Sequence, residues 1–272
     1  MSEKKVVLIT GISSGIGEAT ARMLAQRDFI IFGTARNPSG VEAIPGVEVL
    51  PLDVRSNESV NTCVDTMLKI AGRLDVLVNN AGYMLGGVIE EVTVEEAKAQ
   101  FDTNFFGVVR MVKRALPIMR TQGSGQIINV SSGLGLLPLP FVGFYAASKF
   151  ALEGYTEALR HEVKPFGIRV SLVEPGFIKT QLYNNKQFAG NQINDYNPWR
   201  QHASDAVKKH REKSLKPTRV AESILRIIEN KSPRLHNIVS NEIARTFLLR
   251  RLFPESLFEK GARRYLNLDV KG

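Results

Sequence analysis

Tyr145 and Lys149 stand four residues apart in a segment of helical periodicity, so a helix places both on one face. A free tyrosine ionises near about pH 10 and is a poor base at neutral pH. A cation about 4 Å away, at an effective dielectric near 20, favours the phenolate by about 4 kcal/mol, roughly three pKa units before desolvation opposes it. Such a pair suits general acid–base work. A second chemistry-bearing stretch lies far upstream, Thr10-Gly11-Ile12-Ser13-Ser14-Gly15-Ile16-Gly17, between an apolar run and a helical pattern. Glycines permit a sharp turn and close backbone approach. The helix start adds free N–H groups and a positive dipole end, which together cradle a pyrophosphate.

The same glycine stretch also satisfies G-x-S-x-G, the nucleophile elbow of serine hydrolases, with Ser13 at its centre. Its context speaks against that chemistry. Several strands precede the nucleophile in α/β-hydrolases, whereas Ser13 follows the first one. None of His161, His202, His210 and His236 falls in an obvious strand-end loop suited to a general base. A purely structural tight turn is the plainer alternative, and nucleotide binding is the preferred reading.

Both motifs need a scaffold. Short β-branched runs at 6–10, 29–34, 48–50, 76–79, 126–131 and 169–174, with a weaker one at 237–239, alternate with helical patterns at 15–27, 56–70, 94–120, 145–164 and 218–229. Strand–helix–strand repetition requires crossovers, which build a parallel sheet covered by helices on both faces. Residues 179–216 break this rhythm: polar, rich in Asn and Gln, with a lone Trp199, they read as an irregular lid. The division expected is one domain over 1–240, lid included, followed by a basic helical appendix over 241–272.

Composition narrows the class further. The chain has 272 residues, 43% hydrophobic and 23% charged, enough to bury a large core. Its single cysteine excludes a disulfide framework and a cysteine-rich zinc module, and no metal site is expected. Cys63 lies in an apolar pattern and reads as a buried, inert thiol. No apolar run reaches the length of a membrane span, so a cytoplasmic protein is expected. The net charge of +9 comes from the end of the chain: up to Pro198 there are 19 Lys and Arg against 19 Asp and Glu, and from Trp199 onward 17 against 8. A solvated basic appendix is the plainest reading. Attraction for an acidic substrate or membrane surface comes next, and nucleic-acid binding is not expected, because no zinc-finger spacing or aromatic RNA-binding motif is present.

Six elements occur in a telling order: the glycine turn; Asn79-Asn80-Ala81-Gly82 at the end of the fourth strand; Asn104 in a helix; Ser131-Ser132 ending the fifth strand; Tyr145-Ala146-Ala147-Ser148-Lys149 opening the next helix; and Pro175-Gly176 after the sixth strand, with Thr180 four residues beyond. Over roughly residues 5–228 the chain resembles the short-chain dehydrogenase/reductase family, in its hydroxysteroid and retinol dehydrogenase-like branch. The resemblance implies a doubly wound Rossmann fold of about seven parallel strands, a nicotinamide cofactor, carbonyl/alcohol redox chemistry and a homo-oligomer, dimer or tetramer. It implies a catalytic group of Asn104, Ser132, Tyr145 and Lys149, with Asn104 holding a water between the lysine and solvent. A helix-bending role is the other reading of Asn104. Ser132 rather than Ser131 is chosen because family spacing places the serine thirteen residues before the tyrosine. Cofactor contacts implied are Gly11, Ser13, Ser14, Gly15, Ile16, Gly17, Asp53, Val54, Asn80, Ala81, Gly82, Tyr145, Lys149, Pro175, Gly176, Ile178 and Thr180.

The second strand ends Gly33-Thr34-Ala35-Arg36-Asn37, without the carboxylate that would bond the ribose of NAD. Arg36 offers a planar donor for the 2′-phosphate of NADP, so NADP(H) is the expected cofactor. The family's other basic position is Ser14 here, which leaves the selectivity to one arginine. Apolar residues follow the fifth and sixth strands: Leu134, Leu136, Leu137, Leu139, Phe141, Val142, Phe144, Phe177 and Ile178. They suit a hydrophobic aldehyde, ketone, steroid or retinoid, or simply pack beneath the lid. In the tail, Pro254 divides two short helices that cap the cleft, touch another subunit, or lie weakly on an anionic membrane. Two alternatives share the fold: a non-catalytic nucleotide-binding redox sensor, which would be expected to lack the Tyr–Lys pair, and an epimerase or dehydratase.

Overall fold

The computed structural model describes residues 4–180 and 187–269. Nine strands and nine helices follow one another along these residues. They run β1 (Lys5–Ile9), α1 (Gly15–Ala25), β2 (Phe29–Ala35), β3 (Val47–Pro51), α2 (Asn57–Ala71), β4 (Val76–Asn79), β5 (Leu85–Gly86), α3 (Val94–Phe101), α4 (Gly107–Gln122) and β6 (Gly125–Val130). Then come α5 (Gly143–Val163), β7 (Ile168–Glu174), β8 (Gln187–Phe188), α6 (Asn197–Glu212), α7 (Pro217–Glu229), β9 (His236–Ile238), α8 (Asn241–Leu252) and α9 (Glu255–Tyr265). Seven strands form one sheet in the order β3-β2-β1-β4-β6-β7-β9, every pair parallel. This is the doubly wound Rossmann architecture. Its order reverses beside β1 and β4, the place where such sheets open a ligand crevice at the carboxyl ends of their strands.

Strand alternation divides the core in two. Val6 and Leu8 face one side with residues of α2, α4 and α5; Val7 and Ile9 face the other with α1 and α7. Because both faces are covered, the central strands carry unbroken apolar runs rather than alternating ones. Cys63 lies in the first cluster, and burial pushes its thiol up to about 11, which leaves it protonated.

Three segments differ from the sequence expectation. The polar stretch 179–216, read as irregular, contains the sixteen-residue helix α6. Only Ala203 and Ala206 of α6 are buried, so its apolar periodicity is too faint to read. Tertiary contacts hold it instead: Glu91, 3% exposed, pairs with Arg200 and accepts the Ile193 N–H at 2.8 Å. The helical pattern 94–120 is not one continuous α-helix either. A π-helical turn, Asp102–Phe106, joins α3 to α4. The final strand is also displaced by one residue, beginning at His236.

Candidate active site

The glycine turn closes directly after β1. Gly11 adopts φ +73°, a conformation glycine takes without strain. A Cβ on Gly17 would stand 2.1 Å from the Gly11 carbonyl oxygen, so no larger side chain fits there. Ser14 caps α1 without a side-chain hydrogen bond, leaving the first N–H groups of the helix facing outward. From β4, Asn80 donates its amide to the Thr10 and Gly11 carbonyls at 2.9 and 2.8 Å, and Thr10 Oγ1 accepts the Asn80 and Ala81 N–H groups at 2.9 and 3.0 Å. Thr10 heads the glycine stretch without a role that spacing assigns to it, and its hydrogen bonds make it a positioning residue. Its only signal is a hydroxyl at the last position of an apolar strand.

Around this turn lies a groove of about 1170 Å³, bordered by Ser13, Ser14, Gly15 and Thr180, with Arg22, Lys179, Lys208, Arg211 and Lys216 about it. Positive charge and open helix N–H groups are the donor set a pyrophosphate requires, so the residues fit a dinucleotide. Arg36 is exposed beyond β2, and its charge is felt at Asp53 beyond β3. Arg55 grips the Asp53 carboxylate at 2.6 and 2.9 Å and holds it down to about 2, so Asp53 stays ionised between two arginines. Val54 is buried beside it.

The carboxyl ends of β6 and β7 and the start of α5 assemble the other group. Tyr145 and Lys149 are 5% and 6% exposed, and the Lys149 Nζ lies 5.9 Å from the centre of the Tyr145 ring. Lys149 donates to the Val130 carbonyl at 3.0 Å. Ser132 lies near enough to the Tyr145 phenol to favour its ionisation, and it accepts the Leu134 N–H at 3.1 Å. The neighbouring Ser131 is turned away, its hydroxyl packed near Gly135 and Glu153. Asn104 sits in the π-helical turn. Its amide donates to the Tyr83 carbonyl at 3.0 Å and to Ser148 at 3.3 Å, while its oxygen accepts the Tyr83 N–H at 3.1 Å.

One electrostatic expectation is corrected. The lysine was expected to lower the phenol; instead burial raises Tyr145 to about 12, with Ser132 the one opposing influence. Burial also drives Lys149 down to about 8. Desolvation outweighs charge attraction because both groups lie deep and the ammonium stands off the ring. In this state the tyrosine is an acid that keeps its proton at neutral pH, and the lysine is the group near its titration point.

Pro175, Gly176 and Phe177, with Ser132, open onto a cavity of about 900 Å³. Of the apolar residues expected around it, Leu134, Leu137, Leu139 and Phe177 line it; Ile178 instead belongs to the core, and Phe144 borders a shallow groove beside α3. Much of the remaining wall comes from α8, α9 and the turn between them, through Ile243, Leu249, Phe253, Leu257 and Phe258, with Lys213, Arg219, Glu242 and Arg250 adding charge. Ile243 reaches so close to Gly133 and Gly176 that a Cβ on either would meet it, at 2.1 and 3.1 Å. His210 of α6 stacks between Phe177 and Tyr265, with ring centroids 6.3 and 3.8 Å apart, which ties α6 to the tail.

A parallel sheet with a glycine-lined crevice, and a tyrosine–lysine–serine group beside it, defines a Rossmann-type dinucleotide-dependent protein. The family model for short chain dehydrogenase matches residues 5–189. The chain is 42% identical over 233 residues to 3-ketodihydrosphingosine reductase of Bacteroides thetaiotaomicron, covering 85% of this chain and 86% of that one. It is 43% identical over 190 residues to human retinol dehydrogenase 8, 65% of this chain and 60% of the other. Among solved structures, a short-chain dehydrogenase from Streptomyces avermitilis matches with a TM-score of 0.81 and 32% identity over 93% of each chain. ElxO with NADP bound matches at 0.75 and 28%, over 89% of this chain and 99% of that one. A Burkholderia phymatum member in complex with NAD matches at 0.79 and 28%, over 93% and 95%. The chain belongs to the short-chain dehydrogenase/reductase family of oxidoreductases. Its structural neighbours carry NAD in one case and NADP in another.

Proposed function

We propose that the protein is an NADP(H)-dependent oxidoreductase that interconverts a carbonyl and an alcohol on a hydrophobic substrate such as an aldehyde, ketone, steroid or retinoid. The observation that carries this reading is the buried Tyr145–Lys149 pair beside Ser132, which itself opens onto the largely apolar cavity. A bound nicotinamide supplies or accepts the hydride. Tyr145 gives the substrate oxygen its proton during reduction, Ser132 bonds that oxygen, and Lys149 restores the phenolic proton. Asn104 fixes the loop after β4 against α5. The glycine turn, Asn80, Ala81, Gly82, Pro175, Gly176, Ile178 and Thr180 hold the cofactor, and Asp53 and Val54 flank its adenine. Arg36 selects the 2′-phosphate, since no carboxylate at the end of β2 opposes it.

A homo-oligomer and a cytoplasmic location belong to the same proposal. Among the described residues no helix is long and apolar enough to cross a membrane. Leu248, Leu249, Leu252, Phe253 and Leu257 stay about half-exposed or more in a tail with excess basic charge, which supports weak contact with an anionic lipid surface. The test is consumption of NADPH or NADH against a panel of aldehydes, ketones, retinoids and steroids, followed by nicotinamide absorbance. Turnover of a hydrophobic carbonyl with NADPH preferred is the expected result. Tight NADP(H) binding without turnover of any carbonyl would make the protein a sensor.

A further inference from the structure

The titratable stripe on α5 does not end at Lys149. Tyr145, Lys149, Glu153 and Glu157 recur every four residues, so they lie along one face of the helix and lead from the catalytic group to the surface. Glu153 is 5% exposed, and neither carboxyl oxygen has a hydrogen-bond partner. A buried carboxyl left in that condition is costly unless it exchanges a proton or meets a charge.

The charges that meet it come from other elements. His236 at the start of β9 lies with Nδ1 3.6 Å from Glu153 Oε2, 2.8 Å from Glu174 Oε1 of β7, and with Nε2 3.4 Å from Glu157 Oε1. Glu174 is fully buried, and its second oxygen accepts the Asn237 N–H at 2.7 Å. The Ser131 hydroxyl at the end of β6 and the Lys149 ammonium complete the surroundings of Glu153. The His236 side chain is 34% exposed, and Glu157 is 53% exposed. The cluster thus has a dry end at Lys149 and a wet end at His236.

We propose that Glu153 and His236 form a proton-relay branch that carries protons between Lys149 and solvent along α5. The inference rests on the reading of Tyr145 and Lys149 as the acid–base pair. In the reducing direction, hydride from the nicotinamide forms the new C–H bond while the substrate oxygen takes the phenolic proton of Tyr145. The phenolate takes a proton from the Lys149 ammonium, and the resulting amine takes one from the Glu153 carboxylic acid by way of an intervening water, because the two side chains lie beyond direct contact. The Glu153 carboxylate takes one from the His236 imidazolium, which is renewed by water. One proton enters per turnover, and all four side chains return to their starting state. The titrations agree with this direction of flow. Burial, then the Glu174 charge, raises Glu153, while burial lowers Lys149, so the two groups are drawn towards each other in proton affinity. The hydrogen bond to Glu174, partly opposed by burial, raises His236 and keeps its proton available near neutrality.

Two positioning variants test the relay, Glu153→Gln and His236→Asn, both chosen to keep size and hydrogen-bonding capacity. Infrared difference spectra between about pH 6 and about pH 9 should contain the C=O stretch of a buried carboxylic acid that ionises across this range. That band should vanish in Glu153→Gln, and its midpoint should move in Lys149→Met and in His236→Asn. With NADPH and all-trans-retinal, kcat should fall about tenfold in Glu153→Gln, less than the 10²–10⁴ of a direct acid–base group, with KM little changed. Added imidazole should restore the rate of His236→Asn, which a purely structural residue would not allow. Glu153→Gln spectra that keep the band, or pH–rate profiles of both variants that superimpose on wild type, would overturn the relay. A cluster that binds Zn²⁺ or Mn²⁺ and keeps Glu153 ionised throughout would overturn it too. If Tyr145→Phe retains activity, the acid–base reading itself falls, and that outcome is distinct from a dead Tyr145→Phe accompanied by unperturbed Glu153 and His236 variants.

Discussion

The half of the molecule built by β1 to β4 and the half completed by α6, α8 and α9 solve different binding problems. In the first, backbone does the work. Gly11 turns through a positive φ, Gly17 lets α1 approach β1, and Asn80 locks the turn from the neighbouring strand. In the second, side chains do it: Ile243, Leu249, Phe253 and Phe258 close a largely apolar cavity over Ser132, and His210 stacks α6 against Tyr265. A site made of backbone needs particular residues at fixed spacing. A site made of apolar side chains needs only volume and hydrophobicity, which many sequences supply. In the proposed reading the first half would hold a shared cofactor, and the second half would be free to set the substrate.

The largest expected effect lies where the halves meet. Tyr145→Phe removes only a hydroxyl, so the fold and the glycine turn stay intact. Turnover should fall by about 10²–10⁴-fold while NADPH affinity changes little. Steady-state rates and a fluorescence titration of NADPH check both parts, and a variant keeping a tenth of the wild-type rate would remove Tyr145 as the acid. The rate should also follow the state of Lys149. Its value, driven down to about 8 by burial, means the ammonium is present below that pH and lost above it. Carbonyl reduction should accordingly decline as pH rises through about 8, and in Lys149→Met that break should disappear from the residual rate.

Arg36 sharpens the comparison on the cofactor side. If its guanidinium holds the 2′-phosphate, Arg36→Ala loses a charge-assisted bond of about 1.5–3 kcal/mol, roughly ten- to a hundred-fold in NADPH affinity. NADH lacks that phosphate and should bind as before. Titrations at low salt keep the exposed charge from being screened. Equal losses for both cofactors would mean damage to the turn, and no loss for either would make Arg36 a solvated loop residue.

Legibility in the sequence followed the same divide. Tyr145 and Lys149 are four residues apart, and the glycine turn spans seven positions from Gly11 to Gly17, so both are local patterns. The seven parallel strands were readable because burial on both faces leaves uninterrupted apolar runs such as Val6-Val7-Leu8-Ile9. Helix α6 was not readable, since two small alanines and a distant Glu91–Arg200 pair hold it rather than an apolar stripe of its own. The π-helical turn around Asn104 has no hydropathy signature, because it inserts one residue without changing composition. Glu153 was passed over for a related reason. Its partners Glu174 and His236 arrive from β7 and β9, and only the sheet order brings them together.

The smallest expected effect tests whether the cavity under α8 and α9 is where substrate specificity resides. Leu249 lines that cavity yet is 49% exposed, so replacing it should disturb the core very little. Leu249→Ser withdraws part of an aliphatic wall and puts a hydroxyl in its place. For a half-exposed leucine the loss of apolar contact is about 1 kcal/mol, or roughly fivefold in affinity. A long apolar carbonyl that reaches across the cavity should show that change in KM with kcat nearly constant, because the contact is made equally in the ground state and the transition state. A short aldehyde that occupies only the space beside Ser132 should be unaffected, as should NADPH. A fivefold rise confined to the long substrate places its tail between α8 and α9. An equal rise for both would mean that the variant shifts Ile243 against Gly133 and Gly176, and no rise for either would put the substrate elsewhere along the crevice.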